Sequence, residues 1–446
     1  MLGKSPIQTT PQMELFRPLL ASFINLNQEL IHLGNQLDWQ GLESHFAPLY
    51  SSTGTPSKPI RLMVGLLILK QLYNLSDEKV AEAWVQNPYY QYFTGEIFFS
   101  WQLPCDPSDL VHFRHRIGQQ GVQKIFEQSV CLFSQDLAKI EVVNVDTTVQ
   151  EKNITFPTDT KLAVKIIRQA KQLAQKEGLK LRQSYTRKVK ESLIRVRFAH
   201  HPKRKKEGFK AMKTIKNIAG RLVRELGRKL TPEQLSLHQT KLSLFSRVLA
   251  QKRKDKNKTY SLHEPDVACI AKGKAHKPYE FGSKIGIATV PKLNIVVGVA
   301  HFLGNPHDSQ TLEATLLSAK SATGKEFKQA PVDRGYRGKT KVGITEIVIP
   351  NAKKDSKLTA KQKEEKRKLC RGRAAIEPII SHLKKDFRMQ ISYLKGAAGD
   401  AFNAIMAAAA YNFRKFLVKT KKTFLVFFCS PKNPYILIWN FGNMAK

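Results

Sequence analysis

The stretch IEVVNVDTTVQEKNI, residues 140–154, decides how the rest of the chain is read. Its β-branched residues predict a strand, and Asp146 falls in the middle of it. A carboxylate in an apolar strand is costly unless it is bonded to neighbours, sits at a strand end or binds a cation. Thr147, Thr148 and Gln150 extend the polar character around it.

Upstream, from about residue 12 to 138, the apolar pattern is helical. PIRLMVGLLILKQLYNL is apolar nearly all round, and SDEKVAEAWVQNPYYQYF repeats its apolar residues at helical spacing. Ser76 and Asp77 between them form an N-cap signal. Two helices across a short polar turn are either a helix-turn-helix reader of DNA or a helical hairpin whose aromatics, Trp84, Tyr89, Tyr90, Tyr92 and Phe93, fill a core.

Downstream, residues 161–260 hold 30 Lys and Arg against 6 Asp and Glu, an excess of +24 out of the chain's +38. Leu162, Ile166 and Leu173, then Leu222, Leu226 and Leu230, recur at helical spacing, so the block reads as two or three long basic helices, with HPKRKKEGFK as a solvated loop. Such helices repel one another unless a polyanion lies against them. Lys203, Arg204, Lys205 and Lys206 are the densest part of this surface.

Strands return with YEFGSKIGIATV and NIVVGVAHFLGN. A helix SQTLEATLLSAK follows, capped by Asp308 or Ser309, and then come EFKQAPVDRGYRG and EIVIPNA. This order implies a mixed α/β sheet. Asp333 arrives where apolar residues give way to a Gly-rich turn, the place where such sheets expose their chemistry. Glu377 lies in RGRAAIEPIISHLKKDFRM, read as one helix on which Arg373, Glu377 and Lys384 share a stripe. Pro378 costs helix stability unless the helix starts or kinks nearby. Asp266, Glu280 and Asp308 are rival carboxylates, Asp308 being more simply a cap.

Bulk properties narrow the class of function. The 446 residues predict two or three folding units, and 42% hydrophobic content excludes a disordered or fibrous chain. The net charge calls for a polyanionic partner, nucleic acid before an anionic membrane. No apolar run is long enough to span a bilayer, and Phe424–Cys429 falls far short. The N-terminal residues lack a signal peptide's apolar region. Five scattered cysteines without a CxxC pair argue against a disulfide framework or zinc site and suit a reducing cytoplasm.

At the three carboxylates the chain resembles the insertion-sequence transposases of the IS-five group, relatives of the IS-four group, over most of its length from near Pro56 to about Phe416. Asp146 in VNVDTTVQ matches the family's first Asp, and Asp333 in VDRGYRG its Asp-x-Gly-Tyr turn. Arg373, Glu377 and Lys384 match the pattern Tyr-x2-Arg-x3-Glu-x6-Lys, with Cys370 at the tyrosine position. The resemblance implies a ribonuclease H-like catalytic domain, residues 139–418, with a basic helical insertion at about 161–260. An all-helical, DNA-binding domain would precede it over 1–138, and an atypical tail would follow over 419–446. It further implies that Asp146, Asp333 and Glu377 are catalytic and hold two Mg²⁺ ions, with Mn²⁺ able to substitute. Arg373, Lys384, Tyr336 and Arg337 would then contact DNA.

The function expected is that of a DNA transposase. It would bind the terminal inverted repeats of an insertion sequence, cleave there and join the 3′-hydroxyl to target DNA, as a homodimer in the synaptic complex. The setting would be the bacterial cytoplasm, with nucleoid association when bound to DNA. A nuclease of the same fold without strand transfer, or a non-catalytic nucleic-acid-binding protein, shares the charge.

Overall fold

In the computed structural model, residues 18–252, 254–271, 277–350 and 358–428 are described, the last seven of them as backbone only. The N-terminal stretch read for a targeting signal, Cys429 and residues 429–446 of the tail lie outside them. Eight helices come first: α1 Leu20–Phe23, α2 Glu29–Gln36, α3 Trp39–Phe46, α4 Ile60–Leu72, α5 Asp77–Gln86, α6 Pro88–Phe93, α7 Pro107–Cys131 and α8 Ser134–Leu137. Strand β1 is Asn144–Lys152. Four helices follow, α9 Asp159–Lys176, α10 Thr186–Val196, α11 Lys205–Lys229 and α12 Pro232–Ala250. Then come β2 Ala268–Ala271, β3 Tyr279–Val290, β4 Ile295–Phe302 and α13 Asp308–Thr323. The chain continues through β5 Gln329–Pro331, β6 Lys341–Val342, β7 Thr345–Val348, α14 Ala360–Gly372, α15 Ile376–Lys385, β8 Ile391–Ser392 and α16 Gly396–Phe428.

The described residues divide into two units, those within 18–150, 284–302 and 306–428, and those within 151–283 and 303–305. The larger is a mixed α/β body whose helical N-terminal region shares one core with its sheets. Val64, Leu66 and Leu69 of α4 belong to the same buried cluster as Val145 of β1 and Ala407–Ala410 of α16. Helix α4 is buried on nearly every face, which explains an apolar pattern without a polar side. Ser76 caps α5 by accepting from the Lys79 N–H. Trp84, Tyr90 and Phe93 are buried, and Tyr89 and Tyr92 are half-buried. The exposed face of α5 carries Glu78, Lys79, Glu82 and Gln86.

The larger sheet places β1 between β3 and β8, with β4 antiparallel to β3. A second sheet has the order β5-β7-β6, with β5 parallel to β7. A parallel bridge from Val142 to Gln329 links the lead into β1 with β5, supported by the Val143 N–H donating to the Gln329 carbonyl at 3.0 Å. Helix α16 is buried from Ala401 to Phe413; its small alanines allow close approach to α7 and β4. There the buried Asn412 amide donates to the Val296 carbonyl at 2.7 Å and its Oδ1 accepts from the Val296 N–H at 2.9 Å. That bond completes the β4 backbone beside a register shift. The helix runs through residue 419, where the sequence alone suggests that an atypical tail begins.

The smaller unit has its own core. Leu162, Ile166, Leu173, Leu222, Leu226 and Leu230 are all buried in one cluster, as their spacing predicts. The block holds four helices rather than two or three. Within HPKRKKEGFK only the first part is a turn, because α11 already starts at Lys205. Lys203, Arg204, Lys205 and Lys206 are exposed, and Arg204 lies over the Phe198 ring at 3.6 Å while pairing with Glu207 at 3.0 Å.

Candidate active site

Asp146 and Asp333 come from neighbouring chain segments in matching register. Each lies four residues beyond its partner in the parallel bridge, Asp146 after Val142 and Asp333 after Gln329. Parallel neighbours advance together at about 3.3 Å per residue, so equal offsets bring the two carboxylates to the same end of the sheet. Asp333 accepts the Gly335 N–H at 2.8 Å and so opens the single 3₁₀ turn Arg334–Tyr336. Asp146 accepts the Thr147 N–H at 2.7 Å.

Glu377 arrives through a break in the helix. The segment expected as one helix is α14, a 3₁₀ turn Arg373–Ala375 and then α15. Pro378 therefore lies in the first turn of α15, where its missing N–H costs nothing. The Asn144 side chain, fully buried, donates to the Gly372 carbonyl at 2.9 Å and ties this break to β1. Arg373 then reaches both acids, 3.2 Å from Asp146 Oδ2 and 3.6 Å from Glu377 Oε1. Glu377 itself is 67% exposed. Lys384 is half-buried on α15, and Arg337 is exposed.

The electrostatics of the cluster are strained. Burial above all, with the Asp333 and Asp308 carboxylates adding to it, pushes the Asp146 carboxyl up to about 6; the Thr147 N–H and Arg373 act against this. Burial alone would also raise Asp308, but donors from Lys284 and Thr147 hold it below the ordinary carboxylate range. Its Oδ1 accepts from Thr147 Oγ1 at 2.8 Å and from Lys284 Nζ at 2.9 Å. Asp308 is therefore not the helix cap: His307 caps α13, accepting the Ser309 N–H. Tyr336, expected as a DNA contact, is fully buried instead. Burial first and the nearby Asp146 carboxylate second raise its hydroxyl far above the ordinary tyrosine range. That hydroxyl meets no partner in full hydrogen-bond geometry, although Thr147 lies close enough to ease its ionisation.

Among the described residues no three His, Cys, Asp or Glu side chains stand close enough to hold a metal ion as placed. The donor set nonetheless suits a hard divalent cation, being carboxylate oxygens crowded by their own charge beside an orphaned buried hydroxyl. Arg373 is the cation that spans two of them.

Residues 19–116 match a Transposase domain family (DUF772), and residues 247–413 match the Transposase DDE domain family. The chain belongs to the DDE-domain transposases. A further relative is the "uncharacterized protein ORF8 in nfe locus" of Rhizobium meliloti, 42% identical over 192 residues, which are 42% of this chain and 93% of that protein. No solved structure matches the chain. As a DDE-domain protein it is an insertion-sequence transposase, a metal-dependent polynucleotidyl transferase that binds DNA. No helix among its described residues is long and apolar enough to cross a membrane.

Sequence reasoning underrates four residues of this candidate site. Asp308 reads locally as a cap, and Asn144 and Lys284 do not stand out as partners of the acids. Lys284 has a signal, a lone lysine inside the apolar strand YEFGSKIGIATV. Gly335 reads only as a turn residue. Asp266 and Glu280, the other rival carboxylates, belong to the smaller unit.

Proposed function

We propose that this transposase is of the IS-five group and that Asp146, Asp333 and Glu377 are its catalytic, metal-binding triad on a ribonuclease H-like fold. The observation that carries the reading is Arg373, which joins Asp146 to Glu377 while Asp333, in the turn that follows β5, crowds Asp146. Three acids far apart in sequence thus share one electrostatic neighbourhood. The sheet supports the fold, since β4, β3 and β1 are consecutive neighbours and β5 and β7 continue in parallel through the Val142–Gln329 bridge.

Asp146, Asp333 and Glu377 would together hold two Mg²⁺ ions, or Mn²⁺ in their place. When bound, the ions supply Lewis-acid stabilisation to an in-line displacement at phosphorus. Arg373, which spans Asp146 and Glu377, would hold a DNA phosphate beside them. Arg337 and Lys384 act in the same way on neighbouring phosphates, fixing register without reading sequence. Tyr336, held protonated, keeps its hydroxyl available as a donor inside the cluster.

Two displacements follow in one site. A water oxygen attacks the phosphorus at the element's end, the P–O3′ bond breaks, and a proton from the water ends on the departing oxygen as a 3′-hydroxyl. That hydroxyl attacks a target phosphorus and displaces the target's own 3′ oxygen, which takes up the proton the attacking hydroxyl loses. The basic helical unit, with Lys203, Arg204, Lys205 and Lys206 at its densest point, grips the terminal repeats, and two copies hold a pair of ends on the nucleoid in the bacterial cytoplasm. Purified protein, Mg²⁺ and a plasmid carrying the element's ends should give cut and then joined products. Joined products persisting with Glu377→Gln would remove the triad assignment, and cutting without joining would reduce the protein to a nuclease.

A further inference from the structure

Asp308 has no part in the triad, yet it touches both segments that carry its aspartates. On one side its Oδ1 accepts from Thr147, the residue next to Asp146, whose backbone N–H is also the donor to Asp146. On the other side it abuts the turn of Asp333. A Cβ built on Gly335 would lie 2.8 Å from Asp308 Oδ2 and 2.9 Å from Asp333 Oδ1, so two carboxylate oxygens converge within 3 Å of one point. Only a residue without a side chain leaves room for that approach.

Lys284 makes the arrangement possible. Its ammonium donates to the Pro306 carbonyl at 2.7 Å and to Asp308 at 2.9 Å, and is itself 11% exposed. A third acid beside Asp146 and Asp333 would otherwise be repelled from them, and a buried cation partner offsets that repulsion.

We propose that Asp308 is a positioning residue, a strut anchored by Lys284 that sets the separation of Asp146 and Asp333. The proposal rests on the triad reading above. It assigns to Asp308 no contact with the reacting phosphate: Asp308 acts through Thr147 and through the Gly335 turn.

The test is Mn²⁺ binding to the full chain without DNA, followed by electron paramagnetic resonance, with the melting temperature as a check on folding. Residues that orient metal ligands typically change affinity by about 10–100-fold when removed. Asp308→Ala should weaken Mn²⁺ binding by that amount, and should lower kcat for end cleavage while leaving KM for the DNA ends unchanged. Asp308→Asn keeps an acceptor for Thr147 but loses the ion pair, and should fall about 10-fold. Gly335→Ala, which forces the two carboxylates apart without removing either, should match Asp308→Ala. Wild-type Mn²⁺ affinity in Asp308→Asn and Gly335→Ala overturns the proposal, even if Asp308→Ala fails to fold. Asp146→Asn and Asp333→Asn separate the two readings: if both still bind Mn²⁺ the triad itself falls, whereas if both lose it and the Asp308 variants do not, only the strut falls.

Discussion

Two regions of this transposase carry unbalanced charge, and they carry it in opposite ways. In the larger unit a few carboxylates are drawn into a partly buried cluster, where Asp146 is pushed up to about 6 and Asp308 is held ionised by Lys284. In the smaller unit many cations stand in water, with Lys203–Lys206 exposed on a helical body whose leucines are buried beneath. The first arrangement depends on position, so a single neutral substitution should change its chemistry. The second depends on number, and its effect should fall gradually as cations are removed. Substitutions that respect or violate this contrast can break it.

The largest effect belongs to the acid cluster. Asp333→Asn and Glu377→Gln should each lower end cleavage by roughly 10³-fold or more, as removal of one member of a cooperating catalytic unit does. Binding of the DNA ends, measured by gel shift, should stay within a few-fold of wild type. If cleavage and binding fell together, the acids would be serving the fold rather than the reaction.

Next comes the basic surface. Charge reversal of Lys203, Arg204, Lys205 and Lys206 together should weaken end binding while leaving Mn²⁺ affinity unchanged. The slope of log affinity against log salt should flatten by up to roughly 4, near one for each phosphate no longer neutralised. A single reversal should do about a quarter of this. A full loss from one residue would mean that position, not number, governs this unit too.

The same contrast explains what can be read in the sequence. Number is legible by counting, so the basic block and its buried leucine spacing are visible directly in residues 161–260. The acid cluster is legible only in part. Asp146 stands out because a carboxylate interrupts an apolar strand, and Asp333 because a Gly-rich turn follows it. Asp308 is hidden because its partners, Thr147 and Lys284, lie 161 and 24 residues away, and an Asp before a helix looks locally like a cap. The break between Arg373 and Ile376 is hidden for a related reason: Asn144 of β1 holds the Gly372 carbonyl, a tertiary bond to which helical periodicity is blind. Tyr336 is misplaced by its sequence because exposure of a turn residue depends on what packs above the turn.

On the proposal that Asp146 is a metal ligand, metal binding needs its ionised form, and burial pushes its carboxyl up to about 6. Mn²⁺ affinity should therefore be constant above that pH and fall about tenfold per pH unit below it. Arg373 favours the ionised form, so Arg373→Gln should move the midpoint upward. A titration of Mn²⁺ affinity from pH 5 to 8 reads the shift. A midpoint that stays in place would mean that Arg373 does not govern the charge on Asp146.

The smallest effect concerns stability, and its sign distinguishes a site shaped for binding from one shaped for folding. The folded-state value for Asp146 lies above the ordinary 3.8, so its ionisation opposes folding. The cost is absent below about 3.8, grows as pH rises to about 6, and is constant above that. It amounts to at most roughly 3 kcal/mol. Asp146→Asn keeps an acceptor for the Thr147 N–H and removes the charge, so it should raise the melting temperature at pH 7.5 and leave it nearly unchanged at pH 4. The charge-reversed basic unit should show no comparable gain, because exposed charges are screened by water and salt and contribute little to stability singly. A lower melting temperature for Asp146→Asn at pH 7.5 would mean that Arg373 and Thr147 more than offset the burial of Asp146, and that the acid site holds the larger unit together rather than straining it.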